Sequence, residues 1–165
     1  MARTIHLKKS DIAAVIAYWD QHDVRYLPGV SDGELRAFEN RYNVKLPDDI
    51  QYFYRTTNGT RVPLYGQDHE AYEFWRLSDL QPDSKHDWAM NFADYREMSW
   101  WYASDLTGGG RLGRGAVYLM GADERGPLVI ARSFTEFLQL YVAKDRRLRP
   151  AGAKAYHIAT AGAHD

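Results

Sequence analysis

The chain has 165 residues, 21 basic and 22 acidic side chains and no cysteine, for a formal net charge of −1. One domain of this length has core enough to fold without disulfide or metal staples. The missing thiol excludes a disulfide framework, a cysteine nucleophile and thiolate metal sites, and the balanced charge gives no bulk attraction to nucleic acid or an anionic membrane. No stretch has the roughly 18 apolar residues of a membrane span, and residues 1–9 lack the apolar centre of a secretory signal, so the expected location is the cytoplasm. Aromatic residues make up 14 % of the chain, with five Trp and 12 Tyr, and serve either as core or as contact surface.

Ser10 is placed to cap a first helix, whose Ile12, Val15, Ile16 and Trp19 fall on one face. A loop containing Pro28 and Gly29 leads to a second helix, where Ser31 and Glu34 have capping-box spacing and Leu35, Phe38 and Tyr42 form the buried stripe. Pro47 opens a third helix, with Asp48 and Asp49 at its positive end, Ile50, Phe53 and Tyr54 on its apolar face, and Asn58-Gly59 as a left-handed stop.

Beyond residue 60 the pattern changes to short β-branched or aromatic runs at 62–65, 72–77, 100–103, 116–120 and 128–131, separated by Gly, Asp and Pro. Gly126-Pro127 predicts a turn joining the last two. A last helix starts at Ser133, again with a capping-box partner at Glu136, and buries Phe137, Leu138 and Tyr141. Residues 1–145 are therefore expected to form a single α+β domain, with N-terminal helices on a central antiparallel sheet and a closing C-terminal helix. The basic and then Ala/Gly-rich stretch 146–165 is expected to be frayed or disordered.

Leu46-Pro47-Asp48-Asp49-Ile50, followed by Phe53 and Asn58-Gly59, resembles the signature of the SUKH superfamily, and within it the Smi/Knr cell-wall-assembly-regulator family. Tyr72-Glu73-Phe74-Trp75-Arg76-Leu77 is similar to that family's strand with a central Trp, and residues 129–138 to its closing strand and helix, with Phe137 and Leu138 in the helix. The resemblance implies a small α+β domain without an established catalytic centre and without a cofactor. Bacterial members of immunity type bind a cognate toxin and block it; fungal members imply a regulatory or scaffolding role instead. Residues 83–102 match no part of the pattern.

Gly108, Gly110 and Gly113 satisfy G-x-G-x-x-G, but a strand pattern follows where a dinucleotide site needs a helix, so a connection between strands is the better reading and a small-molecule site the lesser. The six histidines form no metal-ligand spacing. No nucleophile, base and oxyanion donor come together, so no enzyme activity is expected. Charge is segregated: residues 66–105 carry nine acidic against three basic groups, and residues 106–149 eight basic against four acidic. Within the acidic block Asp68, Glu70, Glu73, Trp88, Asp94, Tyr95 and Glu97 are the candidate partner contacts, with carboxylates steering and aromatics anchoring. Trp75 and Tyr102 are assigned to the core, while Trp88 and Tyr95 suit either role. The expected partner is a cognate protein toxin, with a basic nuclease fitting the acidic block, and the chain itself is expected to be a monomer or weak homodimer.

Overall fold

The computed structural model describes residues 9–61 and 66–161, with side chains from residue 11 onward. Three helices come first: α1 (Lys9–Gln21), α2 (Asp32–Tyr42) and α3 (Asp48–Thr56). Ile12, Val15 and Trp19 of α1 are buried as their spacing predicts, while the side chain of Ser10 lies outside the described residues. The capping box of α2 is complete: the Glu34 N–H donates to Ser31 Oγ at 3.2 Å, and the Ser31 N–H to Glu34 Oε2 at 2.7 Å. Pro47 stands at the N-cap of α3 instead of inside its first turn. Asp49 does more than meet the helix dipole, because its carboxylate also accepts from the N–H and hydroxyl of Thr135 in the closing helix, at 3.0 and 3.1 Å.

Asn58-Gly59 does not stop α3, which ends at Thr56 with an extended cap at Thr57. Instead Asn58 Oδ1 accepts the Leu77 N–H at 2.8 Å, and Gly59, at φ 84°, lies so close to the Phe74 carbonyl that a Cβ would sit 2.5 Å from it. The pair fastens the helices to the sheet. The strand run expected at 62–65 lies outside the described residues.

The sheet is antiparallel and 6-stranded: β1 (Tyr72–Phe74), β2 (Gln81–Pro82), β3 (Ala89–Tyr95), β4 (Trp100–Asp105), β5 (Val117–Met120) and β6 (Leu128–Ala131). The order is β1-β3-β4-β5-β6, with β2 also paired to β3. The run beginning at Tyr72 is shorter than predicted, because Leu77 opens a 3₁₀ turn over Leu77–Asp79. The expected turn at Gly126 joins β5 to β6 as a hairpin. The closing helix α4 (Phe134–Ala143) takes its cap from Ser133, although Glu136 reaches back to the Arg132 N–H and not to that of Ser133.

An aromatic core fills the space between the sheet and the helices. Phe53 meets Phe134 edge-on at 5.2 Å, Phe92 meets Phe137 at 5.1 Å, and Tyr102 packs on Phe137 at 5.2 Å. Phe74 and Trp75 are both buried, Phe74 against Trp19 and Tyr141 and Trp75 against Asp94. The other face of the sheet is smaller in side chain, with Ala89, Ala103, Ala116 and Val129 around Tyr118 and Met120.

Residues 146–161 are not a frayed tail. A 3₁₀ turn over Arg146–Leu148 leads into α5 (Pro150–Ala161), which packs on β6. Gly152 permits the turn, since a Cβ there would lie 2.1 Å from the Arg146 carbonyl oxygen, and Ala153 seats the helix in the core. His157 Nδ1 accepts the Val129 N–H at 3.0 Å, and Arg111 donates to the His157 carbonyl and to Thr160 Oγ1 at 3.2 and 2.6 Å. At the other margin, the N–H groups of Tyr72 and Phe74 are taken by Asp68 Oδ1 and Thr60 Oγ1. Residues 162–165 lie outside the described residues.

Candidate functional site

Six of the seven candidate contacts gather along β1 and the β3–β4 hairpin, where Tyr72 pairs with Tyr95 and Glu73 with Asp94. The carboxylates of Asp68, Glu70, Glu73 and Asp94, however, are turned to internal use. Asp94 is 1 % exposed: its Oδ2 accepts the Trp75 indole N–H at 2.7 Å and its Oδ1 the Met98 N–H at 3.3 Å. Arg61 draws the surrounding charge together, lying 2.7 Å from Glu73, 3.7 Å from both Asp79 and Asp94, and 4.7 Å above the Trp75 ring.

Asp68 is buried as well. Its Oδ1 accepts the N–H groups of Glu70 and Tyr72 at 2.8 and 2.9 Å, and its Oδ2 the hydroxyl of Tyr141. That hydroxyl in turn accepts the Trp19 indole N–H at 2.9 Å, so one carboxylate ties the β1 approach to α4 and α1. Burial first, and then the Asp68 charge, raises the Tyr141 phenol far above its ordinary value, which keeps it a hydrogen-bond donor. Burial and the charges of Glu70 and Asp68 push Tyr18 up to about 12. Glu70 binds Lys144 at 2.8 Å, and that hydrogen bond holds its carboxyl below the usual range.

Asp68, Asp94 and Tyr95 are thus buried instead of lying on the surface where contacts are expected, and Glu73 is half-buried and ion-paired to Arg61. Trp88 stands apart at the far end of β3, half-buried, edge-on to Tyr118 at 4.9 Å and directly under Gly109 and Gly110. It covers the glycine loop. Of the seven, Glu97 at the crest of the hairpin is the exposed one. Ion pairs to Arg61, Arg76 and Lys144 compensate part of the acidic block, while hydrogen bonds hold its buried carboxylates in place without removing their charge.

Two further aspartates of the block do the same work. Asp105 accepts from the N–H groups of Thr107, Gly108 and Gly110 at 3.0, 2.7 and 2.8 Å, folding the glycine loop back over the end of β4. With β4 before the loop and β5 after it, the glycines lie in a strand-to-strand connection and not at the start of a helix, as a dinucleotide site requires. Asp83 accepts from Trp101 Nε1 at 3.0 Å, Asn91 Nδ2 at 3.3 Å and the Lys85 N–H at 3.1 Å, with His86 Nδ1 at 3.3 Å. Burial pushes this carboxyl up, but the hydrogen bonds from Trp101, Lys85, His86 and Asn91 outweigh it and leave it below the usual range. With Trp101 and residues 121–127 it lines a cleft of about 490 Å³.

The exposed part of the hairpin end is different in kind. Arg96, Glu97 and Met98 are consecutive non-glycine residues at φ 45°, 51° and 70°, a left-handed run that costs about 1–2 kcal/mol per residue. Beneath them Tyr95 stacks on Trp100 with ring centroids 4.4 Å apart, and the guanidinium groups of Arg96 and Arg149 lie 5.4 and 5.7 Å from the Tyr95 ring. No local motif marks Met98 or Arg96, while Arg149 belongs to the basic stretch that opens residues 146–165 and reaches the hairpin only through the fold. Among the described residues no group of three His, Asp or Glu side chains is arranged to hold a metal ion, and no helix is long and apolar enough to cross a membrane.

No curated protein matches the chain. The family model described as SMI1 / KNR4 family (SUKH-1) matches residues 29–140, which run from the approach to α2 into α4 and include all six strands. Helices α1 and α5 lie wholly outside the matched range. On that match, over more than half of its length, the chain belongs to the SMI1 / KNR4 family (SUKH-1).

Proposed function

We propose that this chain is a non-catalytic protein-binding domain of the immunity type, which neutralises a cognate toxin by covering it. The observation that supports this most is the family match over residues 29–140, since the family signature implies binding without a catalytic centre. The candidate site supports it too. Its carboxylates accept hydrogen bonds from buried indole, phenol and backbone groups, so they position loops instead of polarising a substrate. The cytoplasmic location expected from the sequence belongs to the same reading. A basic nuclease as the toxin would meet few of the block's carboxylates directly, because several of them are buried or ion-paired within the domain.

Co-expression with the toxin encoded by a neighbouring gene tests the role. Cells carrying both proteins should survive where the toxin alone kills; equal killing with and without this chain overturns the proposal.

A further inference from the structure

We propose that the tip of the β3–β4 hairpin is the docking site, and that it fits a partner protein presenting an acidic loop beside an apolar pocket: Met98 enters the pocket while Arg96 and Arg149 meet carboxylates. The inference rests on the protein-binding reading and specifies the chemistry of the partner.

Charge complementarity is the first argument. The acidic groups at this end are engaged inside the domain, Asp94 by Trp75 and Met98, Asp68 by Tyr141, Glu73 by Arg61 and Glu70 by Lys144. The two arginines are not. Among the described residues no carboxylate lies within 4 Å of either guanidinium, although both rest on the same tyrosine ring. The exposed charged groups at this surface are therefore the two cations and Glu97 at the crest, with Arg149 also acting electrostatically on Glu70.

Preorganisation is the second. Tyr95 is buried and stacked on Trp100, so the platform carrying both guanidiniums is fixed before binding. The tip itself is held by the Arg96 N–H to the Ala71 carbonyl at 2.9 Å, the Ser99 N–H to the Tyr95 carbonyl at 3.0 Å, and the Met98 N–H to Asp94. Little conformational freedom remains to be lost on association. Met98 stands out of this frame at 43 % exposure; among the described residues Ile158 is the other large hydrophobic side chain exposed to this degree. An arginine pair around one projecting apolar side chain has the composition of an interface anchor.

The test uses the full chain in two arms. The first titrates it, by amide chemical shifts at low salt, with a short peptide bearing two leucines among four glutamates. Shifts should centre on residues 96–99 and Arg149 and fade as salt rises. The double variant R96E/R149E should bind at least about tenfold more weakly, and M98A several-fold more weakly. Glu97→Lys should bind more tightly, and R36E/R132E, on distant surfaces, as the wild type does. No shift at all, shifts centred elsewhere, or unchanged binding by R96E/R149E would each overturn the proposal. The second arm repeats the variants in the toxin co-expression assay, where R96E/R149E and M98A should lose protection that the wild type gives. A wild type that fails to protect counts against the toxin role alone, and the peptide arm still decides the docking site.

Discussion

The indole N–H of Trp75 donates to a carboxylate oxygen of Asp94 across 2.7 Å, joining the residue after β1 to the centre of the hairpin end. The other oxygen of the same carboxylate takes the Met98 N–H, so one side chain both satisfies a buried indole and secures the tip. Asp94→Ala leaves a buried donor unpaired and Arg61 with one fewer counter-charge. The expected cost is about 3 kcal/mol, since unpaired buried donors lose their full desolvation energy. Asp94→Asn keeps one acceptor and should cost about half as much. Thermal melts should fall by about 6–12 °C for the alanine variant; a change within error would remove Asp94 from this role.

His157 gives a pH dependence of known sign. Its Nδ1 accepts the Val129 N–H, which requires the neutral ring, and burial first and then Arg111 hold its pKa below the ordinary value, with Asp123 opposing. A folded pKa below the unfolded one means that the unfolded chain binds the extra proton. The contribution is therefore complete above the unfolded value near 6.5 and is lost as pH falls from there through the folded value. Exchange of the Val129 amide, corrected for intrinsic rate, should speed up below that pH. In His157→Ala it should be fast throughout, and the missing hydrogen bond should cost about 1 kcal/mol. Exchange in the wild type that is flat across this window would show that the ring is not the acceptor.

Asp105 sets the glycine loop through two oxygens that are not equivalent. Oδ1 serves Thr107 and Gly108, while Oδ2 serves Gly110 alone. Asp105→Asn retains a single carbonyl oxygen, which the two-donor side should claim. Hydrogen exchange at Gly110 should then rise far more than at Thr107 and Gly108, whereas Asp105→Ala should release all three. Uniform loss in the asparagine variant would mean that the loop responds to charge and not to acceptor number.

The left-handed crest makes a paired prediction. Glycine adopts φ 51° without steric cost, and a β-branched residue resists it. Glu97→Gly should leave the melting temperature unchanged or raise it, while Glu97→Val should lower the midpoint of urea unfolding. Equal stability for the two variants would show that the crest is not left-handed in solution.

What could be read from sequence divides along physical lines. The capping box at Ser31 and Glu34 and the apolar stripe of α1 are local, and spacing alone reveals them. β3 gave no such signal: Ala-Met-Asn-Phe-Ala-Asp-Tyr is buried at every position, so it neither alternates nor contains a β-branched residue. α5 escaped because its apolar face is mostly alanine, with only Ala153 and Thr160 fully buried in a helix that also contains a glycine. The acidic block misled for a third reason. Whether Asp68 faces water depends on Tyr141, 73 residues away, and no local pattern encodes that partner.

The closed margins of the sheet bear on how new specificities arise. Tyr72 and Phe74 spend their outward amides on Asp68 and Thr60 at one side, and Val129 spends its own on His157 at the other. A visiting chain finds no vacant backbone ladder at these positions to extend, so affinity must be written in side chains. Side chains at the crest of a turn can be exchanged one codon at a time while the scaffold beneath stays put.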